Sequence, residues 1–323
     1  MLKIEHLSTS YKTIDGNIRV INDLNFEIYD NEIFGIAGES GCGKTTLLKA
    51  LYDIVEFPLQ IDSGRVILSG EKNGTPFSYE SGKIRNTWWN NITYVPQAAQ
   101  SVLNPIMRLK HQFLDSIPKE DRKNETEEQT LKRVARYLEE LSLSPDLLEA
   151  FPFQLSGGMR QRVIIALATF MSPNVVLADE PTTALDVVVQ RGILMMLMRL
   201  QSQLKNTVVL VSHDMGVHYQ VTHRMGIMYS GSLVELGKTD DIFNEPLHPY
   251  TRMLINALPR VGDKSQKVGI PGRPPALTNP PPGCRFAPRC PNATETCRQA
   301  VPVFQEVRPG RFVACHKLNR EVV

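Results

Sequence analysis

One eight-residue stretch constrains this chain more than any other: Gly38-Glu39-Ser40-Gly41-Cys42-Gly43-Lys44-Thr45, a complete G-x-x-x-x-G-K-[ST] pattern. Residues 32–37 before it form a short apolar run that reads as a buried strand, and Thr46 with residues 47–51 reads as the first turns of a helix. Strand, glycine-rich turn and helix in that order make a phosphate-binding loop. The glycines let successive backbone N–H groups converge on phosphate oxygens, and the helix N-terminus adds partial positive charge there. Lys44 is placed to reach the β- and γ-phosphates, and the Thr45 hydroxyl to sit on Mg²⁺. An ordinary strand-to-helix turn has no structural reason to carry a lysine and a hydroxyl after Gly43. The loop, including Cys42 at a variable position, is a nucleotide site.

A second apolar run, residues 175–178, ends in paired carboxylates, Asp179 and Glu180. It describes a buried strand delivering acids to its C-terminal edge, where α/β sheets hold ligands. Asp179 is the natural Mg²⁺ partner of Thr45, and Glu180 could accept a proton from an attacking water. Residues 207–211 form a further strand that ends at Ser212-His213-Asp214, which puts His213 at a strand edge beside a triphosphate. Ser156-Gly157-Gly158-Met159-Arg160-Gln161 opens a helix running to about Phe170, with Ser156 as a plausible N-cap and two glycines leaving N–H groups open to an anion.

Elsewhere the pattern is coarser. Residues 3–7 and 20–28 read as strands, the second interrupted at Asn22-Asp23, with Tyr11 between them. Asp62-Ser63-Gly64 reads as a turn into a short strand at 65–68, and residues 92–95 as a strand ending at Pro96-Gln97. From about 100 to 157 apolar residues recur at helical spacing (Leu131, Val134, Leu138, Leu141), which suggests a helical insertion with 119–129 as its charged, exposed part. Residues 187–204 form a helix whose Met195, Met196 and Met198 read as core filler. A hairpin at 224–235 and two short helices near Asp240 and Tyr250 follow. After Pro259 no periodicity lasts long enough to build a core, and Pro271-Gly-Arg-Pro-Pro and Pro280-Pro-Pro-Gly cannot sustain helix or central strand.

Composition excludes little. The formal charge of +2 divides unevenly, +7 on residues 260–323 against −5 on the rest. The start carries no secretory apolar segment, so nothing suggests export. The longest apolar run, at 163–171, falls well short of the ~18 residues needed to span a bilayer. A soluble or peripheral protein of the cytoplasm is expected.

Taken together these residues resemble the nucleotide-binding subunit of an ATP-binding-cassette transporter, over nearly the whole chain. The resemblance implies an α/β fold: a P-loop NTPase cassette with an antiparallel β subdomain, the helical insertion and a small irregular C-terminal extension. In that family's terms Gly38, Glu39, Ser40, Gly41, Cys42, Gly43, Lys44, Thr45 and Thr46 are the Walker A loop, and Asp179 and Glu180 end Walker B. Ser156, Gly157, Gly158 and Gln161 belong to the signature motif. Gln97 matches the Q-loop glutamine, a further Mg²⁺ ligand beside Thr45 and Asp179, and His213 fits the switch histidine. Thr183-Ala-Leu-Asp186 looks like the D-loop, with Thr where Ser is commoner, and Tyr11 fits the aromatic that stacks on adenine. ATP bound by one subunit would be completed by a partner's signature motif and D-loop.

The end of the chain narrows the resemblance. His248-Pro-Tyr-Thr251, Pro271-Gly-Arg-Pro-Pro275 and Gly283-Cys-Arg-Phe-Ala-Pro-Arg-Cys290 look like the tail of dipeptide and oligopeptide importer ATPases. That implies a cassette at 1–258 and a C-terminal region at 259–323, at the cytoplasmic face of the membrane. The implied partners are two transmembrane permease subunits, a second homologous ATPase or a second copy of this chain, and indirectly an external peptide-binding protein; nucleic acid is not among them. The alternatives are the ATPase of a nickel or other small-solute importer, and a non-transport cassette ATPase.

Four of the five cysteines, Cys284, Cys290, Cys297 and Cys315, fall in the last forty residues, at intervals of five, six and seventeen. Structural zinc sites usually show a tight C-x₂₋₄-C pair, and four thiolates on a looser loop suit a [4Fe–4S] cubane better. Zn²⁺ and two disulfides are the competing readings, the last disfavoured in a reducing cytosol. A tail without a core of its own needs a staple, so the extension is expected to be held by its metal.

Overall fold

The first thirty residues alternate apolar and polar side chains, and they fold as one long hairpin. Strand β1 (Leu2–Thr13) pairs antiparallel with β2 (Gly16–Ile28), Leu2 opposite Ile28 and Thr13 opposite Gly16. Leu2, Ile4, Leu7, Ile21, Leu24 and Ile28 turn inward and are buried. This is a computed structural model, and it describes every residue except 73, 98–101, 119–120, 124, 259–268 and 319–323.

Next come β3 (Ile33–Ala37), α1 (Lys44–Leu51), β4 (Leu59–Lys72), β5 (Thr75–Glu80) and β6 (Ile92–Val95). The helical stretch contributes α2 (Leu109–Ser116), α3 (Glu127–Glu140) and α4 (Gly157–Thr169). Then follow β7 (Val175–Asp179), α5 (Val187–Leu204), β8 (Thr207–Val211), α6 (Met215–Val221), β9 (Arg224–Tyr229) and β10 (Ser232–Lys238). The chain ends with α7 (Thr239–Asn244), α8 (Pro249–Asn256), α9 (Glu295–Gln299), β11 (Gln305–Arg308) and β12 (Arg311–Val313).

These elements divide into two compact units. The first holds residues 1, 29–33 and 68–210. There β6 runs parallel to β7, Ile92 opposite Val175 and Val95 opposite Ala178, with β8 along the other side of β7. Every residue of β7 is buried, as a parallel strand covered on both faces requires. Helix α3 starts from a capping box, Thr126 with Gln129, and its Tyr137 packs with Phe170 at 5.7 Å between ring centroids.

The second unit holds residues 2–28, 34–67 and 211–323. Its strands lie in the order β11-β12-β10-β9-β3. Strand β3 is parallel to β9, while β10 pairs antiparallel with both β9 and β12. The hairpin β9–β10 turns at Ser230-Gly231 as the sequence indicates.

Several expectations need correcting. The strands expected at 3–7 and 20–28 extend to a tight hairpin, so Tyr11 sits within β1 opposite Ile18 rather than between strands. Asp62-Ser-Gly64 lies inside β4; Gly64, at φ +78°, bends the strand past His6 instead of ending it. Of the three methionines in α5, Met196 is buried, but Met195 is 57% exposed and is not core filler.

The largest correction concerns the tail. It was expected to lack a core and to depend on a metal. Instead Phe286 is buried against Tyr229 and Tyr250, with centroids at 5.2 and 5.4 Å, among Ala37, Met225, Ile227 and Ile255. Fully burying one such ring contributes about 1.5–3 kcal/mol. Strand β12 extends the sheet through β10, and Arg311 donates to Glu235 at 2.6 Å, the two side chains 5% and 0% exposed. Glu235 also accepts from the backbone N–H groups of Leu247 and His248, both at 2.9 Å, so its buried carboxylate is met on both oxygens. Gly237 makes room for this pair, since a Cβ there would meet Arg311 Cδ at 2.4 Å. The tail borrows its core from strands far away in sequence, which is why no local periodicity announced it.

Candidate functional site

The phosphate loop belongs to the second unit. All five residues of β3 are buried, and Gly38 leaves the strand at φ +151° with Met228 O only 2.2 Å from where a Cβ would stand. No other residue fits that close approach. Gly43, at φ +104°, is the N-cap of α1, and no side chain there accepts a first-turn N–H. Those donors lie open to an anion. Lys44 is buried, and its ammonium donates to Gly38 O at 2.8 Å and Glu39 O at 3.1 Å, with Cys42 Sγ at 3.8 Å. Burial pushes the Cys42 thiol up, so it stays protonated within the loop. Ser40 and Gly41 are exposed and Thr45 is half-buried. The Thr46 hydroxyl lies 3.3 Å from the Tyr11 hydroxyl, which ties β1 to the start of α1.

His213, in the same unit, is exposed and sits between β8 and α6. Its neighbours are held tightly. Asp214 N–H donates to Ser212 Oγ at 3.0 Å, and Asp214 caps α6 by accepting from Gly216 N–H at 2.7 Å. The buried His218 ring donates from Nε2 to Ser212 O at 3.1 Å. Burial lowers the His218 pKa to about 4, so the ring is neutral near pH 7 and keeps that tautomer.

The first unit holds the other expected residues. Asp179 ends β7 fully buried, and the Tyr94 hydroxyl of β6 donates to Asp179 Oδ2 at 3.0 Å. Burial and the adjacent carboxylate both raise the Tyr94 pKa. Glu180 is half-buried and left-handed at φ +47°, a conformation costing roughly 1–2 kcal/mol outside glycine. Its carboxylate accepts from the Thr183 hydroxyl at 2.7 Å, and its carbonyl from Thr183 N–H at 3.2 Å. Strain held in place by a turn is a mark of functional positions. Gln97 is exposed just after Pro96. Ser156 caps α4 by accepting from Met159 N–H at 3.3 Å, and Asp186 caps α5 by accepting from Val189 N–H at 2.9 Å. Gly157 and Gly158 start α4, where a Cβ on Gly158 would meet Val189 Cγ1 at 2.5 Å; Gln161 is buried one turn on.

All five cysteines are free thiols. Cys284, Cys290, Cys297 and Cys315 line one cavity of about 20 Å³, together with His248 and His316. The donors are of the soft kind that iron–sulfur clusters and zinc take. Among the described residues, however, no group of three or more His, Cys, Asp or Glu side chains stands ready to hold a metal ion. Burial pushes the Cys284 thiol up to about 11 and raises Cys290, so both are neutral in the metal-free chain. The metal-stapled extension expected from the cysteine spacing is therefore not what this structure displays.

The family described as ABC transporter matches residues 21–183, and the one described as oligopeptide/dipeptide transporter, C-terminal region, matches 234–297. The dipeptide transport ATP-binding protein DppD of Caldanaerobacter subterraneus subsp. tengcongensis is 39% identical over 98% of this chain and 96% of its own length. This chain belongs to the ABC transporter family. The oligopeptide transport ATP-binding protein OppD of Salmonella typhimurium is 35% identical, over 100% of this chain and 95% of its own length. The cassette is also similar to the dimeric structure of a bacterial ABC transporter cassette, with TM-score 0.61 and 26% identity over 74% of this chain and 99% of that one. A second similar structure is a post-hydrolysis state of an ATP-binding cassette bound to ADP and Pi, with TM-score 0.59 and 27% identity over 74% of this chain and 99% of that one. The protein is thus an ATPase cassette of a transporter, with the P-loop cassette fold of mixed and antiparallel sheets and helices. No helix among its described residues is long and apolar enough to cross a membrane.

Two residues beside the expected ones were not singled out from the sequence: Tyr94 and His218. Tyr94 had a faint signal, a tyrosine in a short β-branched strand two residues before Pro96. His218 had none, because a histidine inside a short helix carries no mark of the carbonyl its ring will meet at Ser212. Arg289 reads from the sequence only as a positive charge beside Cys290, and its contact with Glu39 lies across the fold.

Proposed function

We propose that this chain is the ATPase subunit of a dipeptide or oligopeptide importer. The observation that carries the reading is the C-terminal match at 234–297, joined to a phosphate loop complete from Gly38 to Thr45. ATP would be held by the 38–46 loop, with Lys44 on the β- and γ-phosphates and Tyr11 on adenine. Thr45, Gln97 and Asp179 supply hard oxygen donors of the kind Mg²⁺ takes. Bound Mg²⁺ would neutralise charge on the terminal phosphates. Glu180 would orient and deprotonate the attacking water, and His213 would contact the γ-phosphate. Ser156, Gly157, Gly158, Gln161 and Asp186 would act on the nucleotide of a partner cassette, a homologous ATPase or a second copy. The cassette at 1–258 and the tail at 259–323 would sit on the cytoplasmic face, beneath two permease subunits served by an external peptide-binding protein. Cys284, Cys290, Cys297 and Cys315 would bind a [4Fe–4S] cluster, a reading that rests on their spacing in the sequence and on the soft thiolate donors they offer.

The test is reconstitution with its permeases in vesicles. Peptide should stimulate ATP hydrolysis, and Glu180→Gln should keep ATP binding while losing a factor of ~10²–10⁴ in turnover, the usual worth of a general base. Hydrolysis indifferent to every peptide, or native turnover in Glu180→Gln, would refute the corresponding half of the reading.

A further inference from the structure

Three segments of the region matched at 234–297, none of which a phosphate loop requires, converge on this one. Arg289, on the turn between Cys284 and Cys290, is buried and uses every N–H of its guanidinium. It makes a fork to Glu39, Nη1 to Oε2 at 2.6 Å and Nη2 to Oε1 at 2.9 Å. Nη1 also donates to the Tyr229 hydroxyl at 3.2 Å, Nη2 to Ile270 O at 3.2 Å, and Nε to Pro271 O at 2.8 Å. The Tyr250 hydroxyl, from the His248-Pro-Tyr-Thr segment, accepts from Glu39 N–H at 2.9 Å. Pro274 and Pro275 line a small cavity with Glu39, Ser40, Gly41 and Cys42. Glu39 is therefore committed on three sides. Its side chain goes to Arg289, its N–H to Tyr250, and its carbonyl to the Lys44 ammonium.

We propose that Arg289 and Tyr250 are positioning residues for the phosphate loop, through which the C-terminal region sets nucleotide affinity. The proposal rests on reading this loop as the nucleotide site. Glu39 places a carboxylate where a polyanion is to bind, which is unfavourable unless that charge is neutralised. The Arg289 fork neutralises it and fixes its direction, and a fork holds geometry as a point charge cannot. Tyr250 fixes the backbone of the same residue. Glu39 O and Gly38 O then hold Lys44 at the centre of the loop. Whatever holds Cys284 and Cys290 also holds the turn that presents Arg289.

The experiment is Mg–ATP affinity of the full-length chain, measured by displacement of a fluorescent ATP analogue. Arg289→Met should raise Kd about tenfold, and Arg289→Lys and Tyr250→Phe about threefold each, the scale of one or two charge-assisted hydrogen bonds. Glu39→Gln in the Arg289→Met background removes the stranded carboxylate and should recover most of the loss, which a merely structural defect would not do. Lys44→Ala is the control for the site and should abolish binding. If Lys44→Ala abolishes binding while the Arg289 and Tyr250 variants bind within about twofold of native, the positioning proposal is overturned and the nucleotide site stands. If Lys44→Ala binds normally, the nucleotide reading itself falls. Should Arg289→Met not fold, Arg289→Lys and Tyr250→Phe decide alone.

Discussion

Glu180 shows what a single residue needs from its surroundings. It follows a fully buried strand, takes a left-handed backbone, and accepts from the Thr183 hydroxyl at 2.7 Å. The paired acids were legible in the sequence because an apolar strand ending in two carboxylates is rare without a ligand to meet. The Thr183 contact was not, since Thr183 drew notice only as a departure from the usual D-loop serine. Thr183→Val should lower turnover about tenfold by removing one contact that aims the carboxylate, the worth of one charge-assisted hydrogen bond. Thr183→Ser should stay near native, and neither change should alter ATP affinity. Single-turnover hydrolysis at saturating ATP reads the first effect, and equilibrium ATP binding reads the second.

Two short helices depend on buried, neutral histidines. His248 is the N-cap of α8, its Nδ1 accepting from Tyr250 N–H at 3.1 Å, and burial lowers its pKa to about 3. His218 of α6 is lowered to about 4 by the same cause. Both folded pKa values lie below the unfolded value near 6.5. Above pH 7 neither ring is charged in either state, so they add no pH dependence. As the pH falls below 6.5 the unfolded chain takes up protons that the folded chain refuses, and stability drops by up to about 1.4 kcal/mol per pH unit for each ring. The loss continues until the folded rings begin to titrate near pH 4. Urea midpoints should therefore be level from pH 8 to 7 and fall between 6 and 4.5. His248→Asn keeps a capping side chain and should remove close to half of that slope. An unchanged slope would mean that His248 is not buried neutral.

At the scale of the whole molecule, the tail is where tertiary structure decides most. Its four late cysteines, two flanking the turn at 287–289, one in α9 and one just beyond β12, line one cavity. Chain purified without oxygen is expected to carry about four iron and four sulfide, the content of one four-cysteine cubane. Stoichiometric zinc without sulfide, or no metal at all, would remove the cluster from the reading and leave the ATPase untouched. The sequence by itself determined the phosphate loop, strands β6 to β8 with their terminal residues, helices α4 and α5, and the hairpin β9–β10. Each is a local signal: a run of apolar residues, a cap, or a glycine before a lysine, read within about ten positions. It could not determine that Phe286 would complete a core with Tyr229 and Tyr250, that Arg311 would bury its charge on Glu235, or that Arg289 would grasp Glu39. These pairs stand 36 to 250 positions apart; the last two are 76 and 250. No periodicity spans such a distance, because a side chain's partner across the fold is chosen by packing and by the need to satisfy buried charge, and neither leaves a mark on the neighbouring sequence.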